Sequence, residues 1–518
     1  MENIPFNERV MAMKRVPGEY PDLTQRMAAV RHLSRLAALA RWDMQCNMPG
    51  AGAEARKEQL VTLAGLIHRH MTDPRIGDLL YRLRDYADSL HRGSDEAATL
   101  RVIAREYRKA TLIPEELVRE RATASSEGLQ AWLRAREERD FSLFLPALRR
   151  NLELSVCTAE ALDPGSSPLD VLIDEREPGF DVDTVESVFA DLKEVLIPLI
   201  AEVSQCQDAV DDAVLHQYYD PGTQWDLTLK AVQSIGFDTE ERGRQNISVH
   251  PFTTSLSIDD VRITTRIREH DFAAAFFASL HEAGHGTYEQ GFPRKWEQSV
   301  LGASPSGGLH ESQSRLWENL VGRSPEFWEF FYPEVKAHFP AQTEGVSHVD
   351  FYRAINRVQP SLIRVEADEV TYNLHIIIRF ELEKAAFDGD LPLEDMPGAW
   401  NEKFDRYLGI VPEDPVEGVL QDIHWSGGFG SSFVSYALGN VIAAQLFAAA
   451  LREHPGMKED FRRGDFSRLL SWMQQKVHAC GQKYPPRELI LHATGEDFST
   501  EPFLTYIREK TRTLYGLR

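Results

Sequence analysis

Apolar residues recur along most of this chain at spacings of three and four. Val185, Val188, Phe189, Leu192, Val195, Leu196 and Leu199 form one such series, with Asp183 just ahead of it. The spacing predicts an amphipathic helix, with Asp183 as its N-cap. Pro114-Glu115-Glu116-Leu117-Val118 reads as a helix start, with proline at the first position and acids in the first turn. Similar patterns fill much of the sequence, so the predicted fold class is mainly α. One stretch breaks the rhythm. From Ile247 to Ile267, Val, Ile, Thr and Ser dominate, turn residues occupy Ser257 to Asp260, and Val261, Ile263 and Ile267 alternate with Arg262, Thr264 and Arg266. A period of two predicts a small β element, with a hairpin as its simplest form. An exposed edge there could bind an extended peptide through main-chain hydrogen bonds. No internal repeat, low-complexity tract or Gly/Ser linker divides the chain. A single unit over residues 1–518 is expected, with a helical N-terminal part over about 1–240 and a second part over about 241–518.

Composition narrows the class without choosing a function. Hydrophobic residues make up 42% and charged residues 26%, as in ordinary globular proteins. No apolar run is read as long enough to span a bilayer. Met1-Glu2-Asn3-Ile4-Pro5-Phe6 has neither a basic start nor an apolar stretch, so no secretory signal is expected. Cys46, Cys157, Cys206 and Cys480 lie far apart and form no CxxC pair. They fit reduced thiols in a cytoplasmic protein. A formal net charge of −23 argues against nucleic acid and anionic membranes as partners. Any cleft needing positive charge must supply its own arginines.

The chemistry centres on His281-Glu282-Ala283-Gly284-His285, which follows the apolar run Phe272 to Leu280. Residues four apart share a helical face, so His281 and His285 can point at one cation. Glu282 is turned about 100° away, which lets it face a water without binding the metal. Imidazoles suit zinc, and a catalytic zinc site has three protein ligands and an open position. Glu311, in Leu309-His310-Glu311-Ser312-Gln313-Ser314-Arg315, can complete a His₂Glu set. His310 is its rival, although adjacent side chains diverge on a helix. Glu282 would then act as general base and later as acid.

Further blocks accompany this motif. They are Trp42-Asp43 with Met48-Pro49-Gly50, His250-Pro251-Phe252, Asp260-Val261-Arg262-Ile263-Thr264, and His310-Glu311-Ser312-Gln313. Ile363-Arg364-Val365-Glu366-Ala367-Asp368 and Gly418-Val419-Leu420-Gln421-Asp422-Ile423-His424-Trp425 follow. With the H-E-x-x-H, the sequence resembles the thermostable-carboxypeptidase family of metallocarboxypeptidases, the M32 group, over nearly its whole length. The resemblance implies a mostly helical fold with a long central groove and a homodimer. It also implies removal of single C-terminal residues with broad preference, and zinc as metal, with cobalt or manganese as alternatives.

A carboxypeptidase must hold a free carboxylate, and arginine suits that task. Arg364 is the first candidate, on a segment where Arg364, Asp368, Thr371 or Tyr372, and His375 would share a helical face. An internal Arg364–Asp368 ion pair is the alternative. Arg262 is the second candidate, against a structural ion pair with some carboxylate. His424 and Tyr436 are candidates for donors to a developing oxyanion, against a packed core role for His424. One departure from the family stands out. Where its members carry a sequence like G-x-F-G-Y-F-P-[ST]-Y, Gly428 to Tyr436 has Ser432 at the inner tyrosine and Val434 at the proline. Loss of an oxyanion donor costs about 10²–10³ in turnover, so low activity or altered preference follows if that tyrosine is one. The expected function is thus metallocarboxypeptidase, with a related endopeptidase or oligopeptidase, or a weakly active peptide-binding homologue, as alternatives.

Overall fold

Helices carry most of the chain in the computed structural model, which describes residues 16–206 and 209–517. The Met1–Phe6 stretch considered for a targeting signal lies outside these residues. The three-and-four series forms the helix Val182–Ser204 and buries Val185, Val188, Phe189, Leu192, Leu196 and Leu199. Its N-cap is Asp181, whose carboxylate accepts from the Thr184 backbone N–H, and Asp183 falls inside the first turn. Either aspartate favours the positive end of the helix, but only Asp181 has the extended backbone a cap requires. Pro114 directly precedes the helix Glu115–Glu138.

The β element is larger than a hairpin. Strands β1 (Gly243–Ile247), β2 (Thr253–Ser257) and β3 (Asp260–Thr265) form one sheet in the order β1-β3-β2. β2 and β3 are antiparallel across the turn at Ser257–Asp260, and β1 adds in parallel on the other side of β3. Polar Gly243-Arg244-Gln245-Asn246 gave no alternation by which β1 could be seen. Val261 and Ile263 are buried as the period of two requires, whereas Ile267 lies beyond the strand. Asp271 then caps the helix Phe272–Gly291, whose residues Phe272, Phe276, Phe277 and Leu280 are buried. The sheet therefore sits directly against the helix that carries His281, Glu282 and His285.

One large apolar core runs from Ala135 to Tyr515, and the N-terminal helices have a smaller cluster around Leu23, Ile76 and Leu100. At the centre of the large core lies the helix Val434–Glu453. It is long and apolar enough to cross a membrane, contrary to the sequence expectation, but 78% of the relevant window is buried inside the protein. Its apolar surface is already covered by other helices, as in a core helix.

The helix Gly307–Arg315 lies between Phe272–Gly291 and Val434–Glu453, and small residues allow the contacts. A Cβ on Gly284 would sit 2.6 Å from Ser314 Cα, and one on Gly439 would sit 2.5 Å from Glu311 Cγ. Gly284→Ala is expected to force the two helices apart and to cost about 1–3 kcal/mol of stability. Equilibrium denaturant unfolding of the variant checks this, and an unchanged midpoint would show that the contact is not as tight as described.

Candidate metal centre

One helical turn and one neighbouring helix bring His281, His285 and Glu311 together. Their ligand atoms lie within 4.8 Å of one another. Glu311 Oε2 is 3.8 Å from His281 Nε2 and 3.5 Å from His285 Nε2. Tetrahedral coordination at ordinary zinc bond lengths places neighbouring ligand atoms about 3.3 Å apart, so this set fits a small divalent cation with little movement. His310 takes a different position. Its Nε2 lies 3.0 Å from Glu289 Oε1, and its ring stacks on His285 at 4.4 Å between centroids.

A second carboxylate orients the first imidazole. Glu318 Oε2 is 2.8 Å from His281 Nδ1, which leaves Nε2 to face Glu311. Arg315 binds both acids, with Nε 2.7 Å from Glu311 Oε1 and Nη1 3.3 Å from Glu318 Oε2. The chain widens into a π-helical turn over Leu316–Val321 at this point. Such turns recur at functional sites because they redirect side chains. Glu318 was not singled out from sequence. The available signal was the i, i+4, i+7 spacing of Glu311, Arg315 and Glu318, which puts all three on one face.

Burial opposes charge throughout this cluster, and specific partners decide where charge survives. Desolvation pushes Glu311 and Glu318 up, but Arg315 and the imidazoles together outweigh it, holding Glu311 well below the carboxylate range and Glu318 down at about 2. His281 is likewise disfavoured as a cation by burial, yet Glu311 and Glu318 raise it. His285 has weaker support, and burial lowers it to about 3. Glu282 is turned towards the sheet, where the Thr253 hydroxyl is 2.7 Å from Oε2 and 2.9 Å from the Glu282 main-chain oxygen. Burial pushes its carboxyl up.

Beside this lies a second charged cluster. Arg364 Nε and Nη2 are 3.0 and 2.7 Å from Asp422 Oδ1, and Arg379 Nε is 2.6 Å from Oδ2. The predicted helical face does not exist. Arg364 occupies a 3₁₀ turn, Arg364–Glu366, and the helix begins only at Tyr372. Asp368 instead accepts from the backbone N–H groups of Val370 and Thr371 and from the Thr371 hydroxyl, so the Arg364–Asp368 pair is replaced by Arg364–Asp422. His424 Nε2 is 3.2 Å from the Tyr436 hydroxyl, and its Nδ1 is 3.7 Å from Asp422 Oδ1. Burial lowers His424 to about 4 and raises Tyr436 to about 12, so both are neutral across the physiological range. Tyr372 joins the two clusters. Arg315 lies 4.4 Å over its ring, and Arg364 Nη1 is 3.2 Å from its hydroxyl.

Arg262 stands apart from both clusters. It makes two 2.9 Å bonds to Asp260 and lies 4.2 Å over the Trp42 ring, so its charge is already matched. Val434 is the buried first residue of its helix, a position that also suits proline. A surface cavity of about 790 Å³ lined by Arg105, Lys109, Asp174 and Phe180 includes none of the metal-centre residues.

Two imidazoles and a carboxylate around one cation position, with a glutamate beside them, define a metallopeptidase type of centre. A family model described as carboxypeptidase Taq (M32) metallopeptidase matches residues 22–511, and the chain belongs to that family. It is similar to thermostable carboxypeptidase 1 of Thermus thermophilus, 42% identical over 506 residues that cover 96% of this chain and 99% of the relative. Carboxypeptidase 1 of Bacillus subtilis is 38% identical, with 96% and 98% covered. The crystal structure of an M32 carboxypeptidase from Deinococcus radiodurans superposes with a TM-score of 0.93 at 40% identity, covering 96% of this chain and all of that one. The chain is accordingly a metallocarboxypeptidase, a hydrolase acting on peptides.

Glu318→Gln keeps the size of the side chain and removes the charge that orients His281. It is expected to weaken metal affinity by about 10–100-fold, measured by competition with a chromogenic chelator. Wild-type affinity would show that His281 needs no such support.

Proposed function

We propose that the protein is a zinc-dependent carboxypeptidase that removes single residues from peptide C-termini with broad preference, and that cobalt or manganese can replace zinc. The observation that carries this reading is the charge of the second cluster. Two buried guanidiniums face one carboxylate, while burial keeps the neighbouring histidines neutral, His424 lowered to about 4 and His375 well below its ordinary range. One positive charge is left over next to the metal centre. Such an excess is costly unless an anion completes it, and the terminal carboxylate of a peptide is the matching anion.

His281, His285 and Glu311 would hold the cation. When bound, it supplies Lewis acidity at the scissile carbonyl and the attacking water. Thr253 engages Glu282 Oε2, leaving Oε1 to take the water's proton and later deliver it to the leaving amine. Tyr436 and His424, both neutral, would donate hydrogen bonds to the developing oxyanion. Arg364 would receive the terminal carboxylate. With its charge matched by Asp260 and its guanidinium over Trp42, Arg262 fits that role less well. β2 is the sheet edge that touches Glu282, so an extended substrate could pair along it.

Metal-replete wild type and Glu282→Gln should be compared on an N-blocked dipeptide and on an internally quenched peptide blocked at both ends. The wild type is expected to cleave only the first. The variant should keep its metal and lose about 10²–10⁴ in turnover. Cleavage of the doubly blocked peptide would favour an endopeptidase, and no cleavage of either would favour a peptide-binding protein. Arg364→Ala should lower kcat/KM for the dipeptide by about 10–100-fold, the range expected for a lost charge-assisted hydrogen bond. An unchanged value would remove Arg364 from the substrate site.

A further inference from the structure

Two glutamates close to this site take no part in the chemistry above. Glu383 and Glu177 are both fully buried, and among the described residues neither makes a salt bridge. Burial pushes both carboxyl groups up, Glu383 to about 7. A buried carboxyl without a cation is costly unless hydrogen bonds offset it, and for Glu177 these run through Oε1, Oε2 having no partner among the described residues.

Both serve the same segment, the one that departs from the family pattern. Glu383 lies on the helix Tyr372–Asp388 and accepts from Trp425 Nε1 at 2.8 Å and from the Ser431 backbone N–H at 3.2 Å. Gly430 and Ser431 have φ values of 92° and 67°. The backbone amides of both residues act on the Glu383 carboxyl. A left-handed serine is strained and persists only when its surroundings fix it. Glu177 follows the helix Pro168–Arg176 and accepts from the Ser435 hydroxyl at 2.6 Å and from the Gly308 backbone N–H. A Cβ on Gly307 would fall 2.7 Å from Ser435 Oγ, and one on Gly308 would fall 3.0 Å from Glu177 Oε2. Glycines at both positions let the three elements meet.

We propose that Glu383 and Glu177 are positioning residues, which hold the segment Trp425–Ser435 at its two ends and so fix His424 and Tyr436 relative to Glu311. His424 immediately precedes Trp425, and Tyr436 immediately follows Ser435. Glu177 also holds the start of the helix that carries Glu311, so one carboxyl ties the chain next to the oxyanion donor to the helix of the metal ligand, in addition to the packing at Gly439. Asn151, which donates to the Trp425 and Ser426 carbonyls, and Ser155, which accepts from the Phe429 N–H, also hold this glycine-rich segment, and the two carboxyls add the contacts at Ser431 and Ser435. The proposal rests on the assignment of Tyr436 and His424 to the oxyanion.

The test is kcat per bound metal on an N-blocked dipeptide for wild type, Glu383→Gln, Ser435→Ala, Tyr436→Phe and the Ser435→Ala/Tyr436→Phe double variant. Glu383→Gln and Ser435→Ala are each expected to lower kcat per bound metal by about 10-fold or more with unchanged metal stoichiometry, since small misplacements of catalytic groups cost that much. In the Tyr436→Phe background, Ser435→Ala should add less than about twofold, because its effect passes through the missing hydroxyl. A purely structural role would leave kcat per bound metal intact, or would multiply with the Tyr436→Phe loss, and either result overturns the proposal. If Glu383→Gln is insoluble, Trp425→Phe removes the indole donor instead and is judged by the same criterion. Inactive wild type would sink the carboxypeptidase reading, whereas active wild type with unaffected variants would sink only this one.

Discussion

Arg315 is the charge that makes the metal-binding region possible. Glu282 and Glu311 are buried and Glu318 is largely so, all three beside the paired imidazoles. Carboxylates so close together repel, and burial removes the water that would screen them. Arg315 spans Glu311 and Glu318 and favours the ionised form of both, so a cation meets a charged Glu311, while at His281, which the same two acids push up, it competes with a proton. It also stacks on Tyr372, whose hydroxyl meets Arg364. The ligands' charge state and the substrate's expected anchor are thus coupled through one aromatic ring.

Geometry follows from packing as much as from charge. The helix bearing Glu311 is gripped between two others at Gly284 and Gly439, where no side chain intervenes. Close backbone contact leaves Glu311 little freedom, so its separation from the imidazoles is set by the fold. The sheet adds a third constraint, because Thr253 on its edge fixes the direction of Glu282. Base, ligands and anchor therefore belong to elements that cannot shift independently.

The helical character of the chain, the β element and the pairing of His281 with His285 were legible from sequence because each rests on spacing within one segment, whereas Glu311, on a second helix, was reached through the chemical need for a third ligand. What escaped was non-local or irregular. β1 has no alternation because its residues are polar, and its pairing with β3 is parallel, which sequence proximity does not suggest. Asp422, the partner of Arg364, lies 58 positions away, whereas Asp368 sat at helical spacing and was the natural guess. Helical spacing does not apply because the backbone between Arg364 and Tyr372 is a 3₁₀ turn, an extended Ala367 and a second turn over 369–371. Glu318 was overlooked because an acid on a helix is ordinarily solvated. The apolar helix Val434–Glu453 shows the opposite error, since hydrophobic length alone does not tell a buried core from a bilayer span.

The wide separation of the participating residues along the chain has a consequence for how the molecule is made. His281, Glu311, Glu383 and Tyr436 come from four helices and Glu177 from the end of another, spread over most of the chain. Contacts of long sequence separation form late and slowly during folding, after considerable loop entropy has been lost. Hydrolytic competence should therefore arise only when synthesis is nearly finished, and a nascent chain would be shielded from digesting its neighbours by the topology itself.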